Sequence, residues 1–356
     1  MAKFRYFTQP FSLKGLSLRN RIVMPPMCQY SAENGVPNDW HLVHYTSRAV
    51  GGVGLIIIEM TNVAPNGRIT PHCLGLWNDE QRDAFKRIVD AVHAQGAKIG
   101  IQIGHAGRKA QDCDDVVAPS AINYGELDYP GQNLKTPREL SKAEIQDIVQ
   151  AFQNAVRRAV EAGFDLIELH GAHGYLIHRF YSPKSNQRQD EYGKDRMLFG
   201  EQVIKAAKAV MPEDMPLAIR ISAQEYSANG FDSDYGVEVA KRFAAAGVDM
   251  IHVSGGGNGA LVPGKHPEFA AGYQVYLARK VKQVTGLPVI AVGMLEDPAL
   301  ADFVIGNGDA DLVAIGRGLL RDPYWVLNAQ YQQNASDSMP INDIPRQYQR
   351  GFAKAQ

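Results

Sequence analysis

The sequence predicts an α/β fold: one (β/α)8 TIM barrel with an N-terminal hairpin and a lid excursion after its third strand. Eight apolar runs of strand length recur along the 356 residues. Segments of helical period lie between them, and several end in Gly, which suits a helix C-cap. Eight such strand-then-helix units close into a barrel more naturally than they remain a doubly wound open sheet.

Each element follows in order. Residues 3–19 carry turn signals, Thr8-Gln9-Pro10 and Lys14-Gly15, around short apolar pieces and read as a hairpin. The strand-like runs are RIVMPPM (21–27), GLIIIEM (54–60), KIGIQIG (98–104), LIELHG (166–171), LAIRIS (217–222), MIHVSG (250–255), VIAVG (289–293) and LVAIG (312–316). Helical period is plainest in DAFKRIVDAVHAQG, AEIQDIVQAFQNAVRRAVEAG and YGVEVAKRFAAAG. Residues 105–140 are rich in Asp, Pro, Gly and Tyr, and a long excursion at that end of a barrel predicts an active-site cover. The polar tail, 334–356, is one the barrel does not need; it either frays or docks on a neighbour. The whole chain, 1–356, reads as a single domain.

Composition removes several function classes. The 37 basic and 38 acidic residues balance to −1, and no long basic run stands out, so nucleic acid is not an expected partner. The N-terminus has no apolar signal region and no run is long enough to span a bilayer, so a cytoplasmic enzyme is expected. Cys28, Cys73 and Cys113 form no CxxC pair, which argues against a disulfide framework, a zinc ribbon or an iron–sulfur cluster.

Chemistry in this fold gathers where the strands end. The first strand ends in Pro25-Pro26-Met27-Cys28-Gln29-Tyr30, and the second in Glu59-Met60-Thr61. The third gives Gln102, His105 and the Gly107-Arg108-Lys109 corner. Strand four ends in HGAHGY, with His170, His173 and Tyr175 inside six residues. A strand alternates its side chains, so the two imidazoles converge only if the strand stops near His170. Neutral, they can each offer an N–H to one carbonyl oxygen, and a nearby Tyr can deliver a proton. A metal between the two histidines is the weaker alternative, because no carboxylate or Cys completes a set. His41, His44 and His178 read as structural.

Strand five supplies Arg220, strand six Ser254-Gly255-Gly256-Gly257, strand seven Gly293-Met294 and strand eight Gly316-Arg317-Gly318. Loops after strands seven and eight bind phosphate in many barrels, and Gly293, Gly316 and Arg317 suit that use. Together with the Gln102 amide and the Arg220 cation they suit flavin mononucleotide (FMN). Gln102 would pair with the polar edge of the ring, and Arg220 would stabilise the negative charge that collects there on reduction. Surface arginine and ordinary turn glycine are the bland alternatives.

The chain resembles the Old Yellow Enzyme family of FMN-dependent NAD(P)H oxidoreductases, in its bacterial, thermophilic-like subgroup. The resemblance rests on RNRIVMPPMCQYS, GIQIGHAGRKA, APSAI, AGFDLIELHGAHGYLIHRFYSPKSNQR, AVGM, AIGRGLLRDP and YQRGF, and spans nearly the whole chain. It implies an ene-reductase that oxidises NADPH or NADH and reduces the activated C=C bond of enones, enals or nitro compounds. It implies FMN contacts from Pro25, Pro26, Met27, Cys28, Met60, Gln102, Arg220, Gly293, Gly316 and Arg317. It implies that His170 and His173 hold the substrate oxygen, that Tyr175 or water supplies the proton, that Tyr30 contacts substrate, and that Lys109 lies near the flavin or the substrate mouth. Arg350 would enter the site of an adjacent subunit in a homodimer or homotetramer. Two departures stand out. Met60 replaces a small residue, implying a narrowed pocket or a shifted FMN, and the loop 191–199 is short and carries Leu198 where a second Arg is common. Two rival classes remain: a flavin barrel acting on RNA, disfavoured by the charge balance, and a non-flavin barrel with Lys109 as a Schiff-base lysine.

Overall fold

The computed structural model describes residues 4–111, 113–123, 135–264, 266–333 and 344–352. The strands are β1 (Phe11–Leu13), β2 (Leu16–Leu18), β3 (Ile22–Met24), β4 (Leu55–Asn62), β5 (Lys98–Gly104), β6 (Val117–Ala118), β7 (Arg138–Glu139), β8 (Leu166–Gly171), β9 (Leu217–Ser222), β10 (Met250–Ser254), β11 (Val289–Val292) and β12 (Leu312–Ala314). Eight of them close a parallel barrel in the order β10-β11-β12-β3-β4-β5-β8-β9. Helical structure follows each barrel strand. Asn38, Asn78 and Ser141 start three helices with reciprocal capping boxes; Gly163 ends the last of these in the left-handed conformation, and Gly247 and Gly286 end two others so.

Strand alternation sorts the side chains. Outward residues such as Ile99, Ile101, Ile167, Leu169, Ile219 and Ile251 pack under the helices. Inward residues at the strand starts are apolar: Val23, Leu55, Leu166, Ala218, Met250 and Leu312. Phe11, Leu16 and Leu18 of the β1–β2 hairpin join that cluster and plug the N-terminal mouth. Further along, the inward positions turn polar: Gln102, Glu168, Arg220 and His252 are buried, and His170, Ser222 and Ser254 follow at the strand ends. An apolar floor with polar groups above it puts the chemistry at the C-terminal face.

Three local outcomes refine the expectations. The first barrel strand stops at Met24 and not at Met27, because Pro25 and Pro26 have no N–H for the ladder. β4 runs on to Asn62, with a register shift between Ile58 and Thr61 that takes Glu59 out of the inward series. Glu59 instead accepts the Gln29 N–H at 2.6 Å and the Tyr45 hydroxyl at 3.0 Å, tying the turn after β3 to the first barrel helix. In the excursion after β5, β6 pairs with β7, while the centre of the expected lid, 124–134, lies outside the described residues. Of the tail, 344–352 folds back on the chain's own helix Trp325–Gln333, with Tyr331 and Phe352 rings 5.4 Å apart. No helix among the described residues is long and apolar enough to cross a membrane.

Candidate active site

A cavity of about 300 Å³ opens at the C-terminal ends of the strands. Pro25, Pro26 and Met27 line it from β3, and Arg220 and His173 from the middle of the barrel. Gly293, Met294, Gly316 and Arg317 line it from β11 and β12. Ser254, Tyr273 and Gln274 line it as well. Sequence reasoning missed Tyr273 and Gln274, which sit in an irregular loop; GYQ just before a helical run was the available signal.

The expected residues outside that lining fall into distinct places. Cys28, Met60 and Tyr175 join an apolar cluster with Ile69, Cys73 and Ala106. Tyr30 is exposed, and Gln102 lies deeper in the barrel. Arg350 is on the exposed turn Gln349–Phe352 and does not line the chain's own cavity. The Cys28 thiol is pushed up by burial, with Glu59 adding to it, so it is held as the thiol. Burial also raises the Glu59 carboxyl to about 7. Met60 is accommodated by Gly104: a Cβ there would sit 3.0 Å from Met60 Cγ and 3.1 Å from Met60 Sδ. The thioether therefore occupies space that Gly104 leaves.

HGAHGY is the most constrained backbone of the site. β8 ends at Gly171, His173 takes φ 58° and Gly174 φ 73°. Tyr30 (φ 50°) and Met294 (φ 54°) share this sparsely populated conformation, which gathers at functional sites. Other elements hold the His173 turn. Its N–H donates to Ser222 Oγ at 3.0 Å, and its carbonyl accepts from Lys109 Nζ at 2.7 Å. Lys109 Nζ also donates to the Gly257 carbonyl at 2.8 Å. The Gly174 N–H donates to His178 Nδ1 at 2.9 Å, and His178 Nε2 lies 3.0 Å from Glu225 Oε1. His178, expected only to pack, is thus a prop of the turn. A Cβ on Gly174 would meet the Gly257 carbonyl oxygen at 2.4 Å, so both loops need glycine where they touch.

The side chains of the motif then converge. The His170 and His173 rings are 5.4 Å apart and nearly perpendicular, and the Tyr175 ring is 4.6 Å from His170. Burial, with Arg220 alongside, pushes both histidines well below their ordinary range, so both are neutral at pH 7. His170 Nδ1 accepts the Ala172 N–H at 3.3 Å, which places its proton on Nε2. His173 Nε2 is 2.9 Å from Ser254 Oγ, leaving Nδ1 as its free nitrogen. Two neutral imidazoles and a phenol beside a cavity can polarise a carbonyl oxygen and supply a proton.

The cavity fits FMN on its own chemistry. Arg220 is buried, its Nε has no hydrogen-bond partner, and it makes no ion pair among the described residues. A buried guanidinium left so is built for an external acceptor. Gly293 (φ 132°) adds a close backbone approach, and Arg317 is an exposed cation on the same lining.

Known proteins resemble this chain over nearly its whole length. Residues 7–336 match the model of the NADH:flavin oxidoreductase / NADH oxidase family. The chain is 45% identical over 348 residues to an NADPH dehydrogenase of Geobacillus sp. (strain WCH70), covering 96% of this chain and 97% of the relative. It is 44% identical to an NADPH dehydrogenase of Bacillus subtilis (strain 168), covering 96% and 98%. Among solved structures, morphinone reductase in complex with tetrahydroNAD superposes with a TM-score of 0.79 at 27% identity, covering 96% of this chain and 94% of that one.

Proposed function

Since this chain belongs to the NADH:flavin oxidoreductase / NADH oxidase family, as an Old Yellow Enzyme-type oxidoreductase that uses FMN and a nicotinamide reductant, we propose that it reduces the activated C=C bond of α,β-unsaturated carbonyl and nitro compounds. The observation that carries this reading is the packing together of the His170, His173 and Tyr175 rings, with His173 on the cavity lining.

FMN, when bound, supplies the hydride. Arg220, Gln102, Gly293, Met294, Gly316 and Arg317 would hold it, with Pro25, Pro26, Met27, Cys28 and Met60 alongside. His170 donates to the substrate oxygen from Nε2. His173 donates from Nδ1, which requires the Ser254 hydroxyl to turn its one proton from Gln274 Oε1, 3.4 Å away, to Nε2. As negative charge grows on that oxygen, both hydrogen bonds strengthen, and their stabilisation falls on the transition state. Tyr175, stacked edge-on against His170, delivers the proton to the α-carbon. Tyr30 and Lys109 border the substrate mouth, and the neutral histidines keep the clamp in its donating form near pH 7.

Replacing His170 and His173 with Ala tests the clamp by transient kinetics. Reoxidation of the NADPH-reduced protein by cyclohexenone should slow by about two orders of magnitude, the scale of removing aimed donors. Full-rate reoxidation in the double variant contradicts the assignment. Arg350 would act in a neighbouring subunit of a homo-oligomer. Arg350→Ala should raise the KM for enones, and unchanged kinetics with unchanged assembly contradict the shared site.

A further inference from the structure

Below the cavity, four buried polar side chains come from four successive barrel strands: Gln102 on β5, Glu168 on β8, Arg220 on β9 and His252 on β10. Gln102 and Glu168 are register partners, as are Arg220 and His252. Glu168 is the hub. Its Oε1 accepts from Gln102 Nε2 at 2.7 Å, and its Oε2 lies 2.7 Å from His252 Nδ1.

This arrangement has two chemical consequences. An amide nitrogen only donates, so Gln102 is fixed with its nitrogen on Glu168 and its carbonyl oxygen turned away. A carboxyl oxygen accepts, and each of the two Glu168 oxygens faces a donor. A buried carboxylate needs a compensating cation, and Arg220 stands beside it without an ion pair of its own among the described residues. Burial pulls Arg220 below its ordinary range, and Glu168 acts against that pull in favour of the charged form. His252 is held below its usual range by burial first and Arg220 second, so it is the neutral donor of the group.

We infer that Glu168 is a positioning residue for the cofactor, orienting the Gln102 amide oxygen toward a ring N–H and offsetting the charge of Arg220. The inference rests on the placement of FMN against Gln102 and Arg220. Its consequence is on redox balance. An uncompensated Arg220 would favour the reduced, anionic ring strongly; Glu168 restrains that preference.

Anaerobic redox titration of the FMN-loaded protein against a reference dye reads that balance directly. Glu168→Gln should shift it toward the reduced flavin by about ten-fold, the Coulomb scale of one charge at such depth. For a two-electron couple that is a rise of about 30 mV in midpoint potential. His252→Leu should move it the same way, because Glu168 loses the donor that fixes its Oε2 in place near Arg220. His252→Asn keeps an amide donor and should stay at the parental balance. If Glu168→Gln does not fold, the two His252 variants decide. Arg220→Met should shift the balance toward oxidised flavin and so reports the placement of the ring. A shift with Arg220→Met, but none with Glu168→Gln and His252→Leu, overturns the role of Glu168 alone. No shift with Arg220→Met overturns the placement, and the inference with it.

Discussion

Replacing Lys109 with Met separates positioning from stability. The Lys109 ammonium donates to the His173 carbonyl at 2.7 Å and the Gly257 carbonyl at 2.8 Å, joining the two loops that flank the carbonyl clamp. Methionine keeps most of the stem and removes both donors. Each abandoned acceptor costs about 1–3 kcal/mol if water cannot reach it, and less at these partly exposed loops. The opposing term is the amine itself. Burial, with Arg179 and Arg108 nearby, lowers Lys109 from its ordinary 10.5 to about 7. A lysine with a lowered native pKa binds fewer protons folded than unfolded between those two values. Its contribution to stability therefore rises as pH increases from about 7 to 10.5. At pH 7 the two terms nearly cancel, and the variant should unfold within about 1–2 kcal/mol of the parent. At pH 10 the parent should gain on the variant. The clamp does not share in the cancellation. With His173 free to leave φ 58°, the dissociation constant of an enone for the reduced protein should weaken about ten-fold, the effect of losing roughly 1.4 kcal/mol of orientation. Denaturant unfolding at both pH values, with stopped-flow reoxidation at pH 7, measures both effects. Parental enone affinity in a folded Lys109→Met protein refutes the positioning argument.

Three further outcomes are expected. Gly174→Ala combines φ 73° with a Cβ 2.4 Å from the Gly257 carbonyl oxygen, and should lower unfolding free energy by about 2–4 kcal/mol in denaturant titration; a neutral result contradicts the packing of the two loops. Met60→Ala and Gly104→Ala should each destabilise, by about 2–3 and about 1–2 kcal/mol. The double variant should recover part of the loss, because the new Cβ enters space the thioether left, and strict additivity argues against the pairing. Stability should fall on acidification from pH 6.5 toward 4. Burial lowers His41 and His105 to about 4 and His44 to about 3, so the unfolded chain binds protons the native chain refuses. Glu59, raised to about 7, acts oppositely between 4.5 and 7, and the histidines outnumber it. A denaturation midpoint that is flat or rises on acidification contradicts the buried neutral histidines.

Sequence made the barrel legible because strand alternation and helical period are local signals. β5, β8 and β9 begin and end where the apolar runs do. Boundaries slipped where backbone chemistry overrides hydropathy, as at Pro25-Pro26 and at the register shift that redirects Glu59. The clustered HGAHGY residues were visible as candidates, but not what holds them. Lys109 and Ser222 come from two other places in the chain and His178 from the helix that follows the motif, and only the folded barrel shows that they share one turn. Glu168 and His252 escaped notice because each sits inside a run that reads as plain apolar strand. Their meeting is a product of strand order. Met60 looked like an obstruction in the sequence; Gly104, 44 residues later in the numbering of the chain, is its accommodation.

The most direct test of the account is the visible spectrum of the purified protein, followed without oxygen through addition of NADPH and then cyclohexenone. The account predicts a yellow protein that bleaches with NADPH and regains its colour with the enone, establishing both half-reactions in one cuvette. A protein that bleaches and then stays bleached in the presence of enone, acrolein-type enals and nitroalkenes alike would contradict the proposed acceptor chemistry.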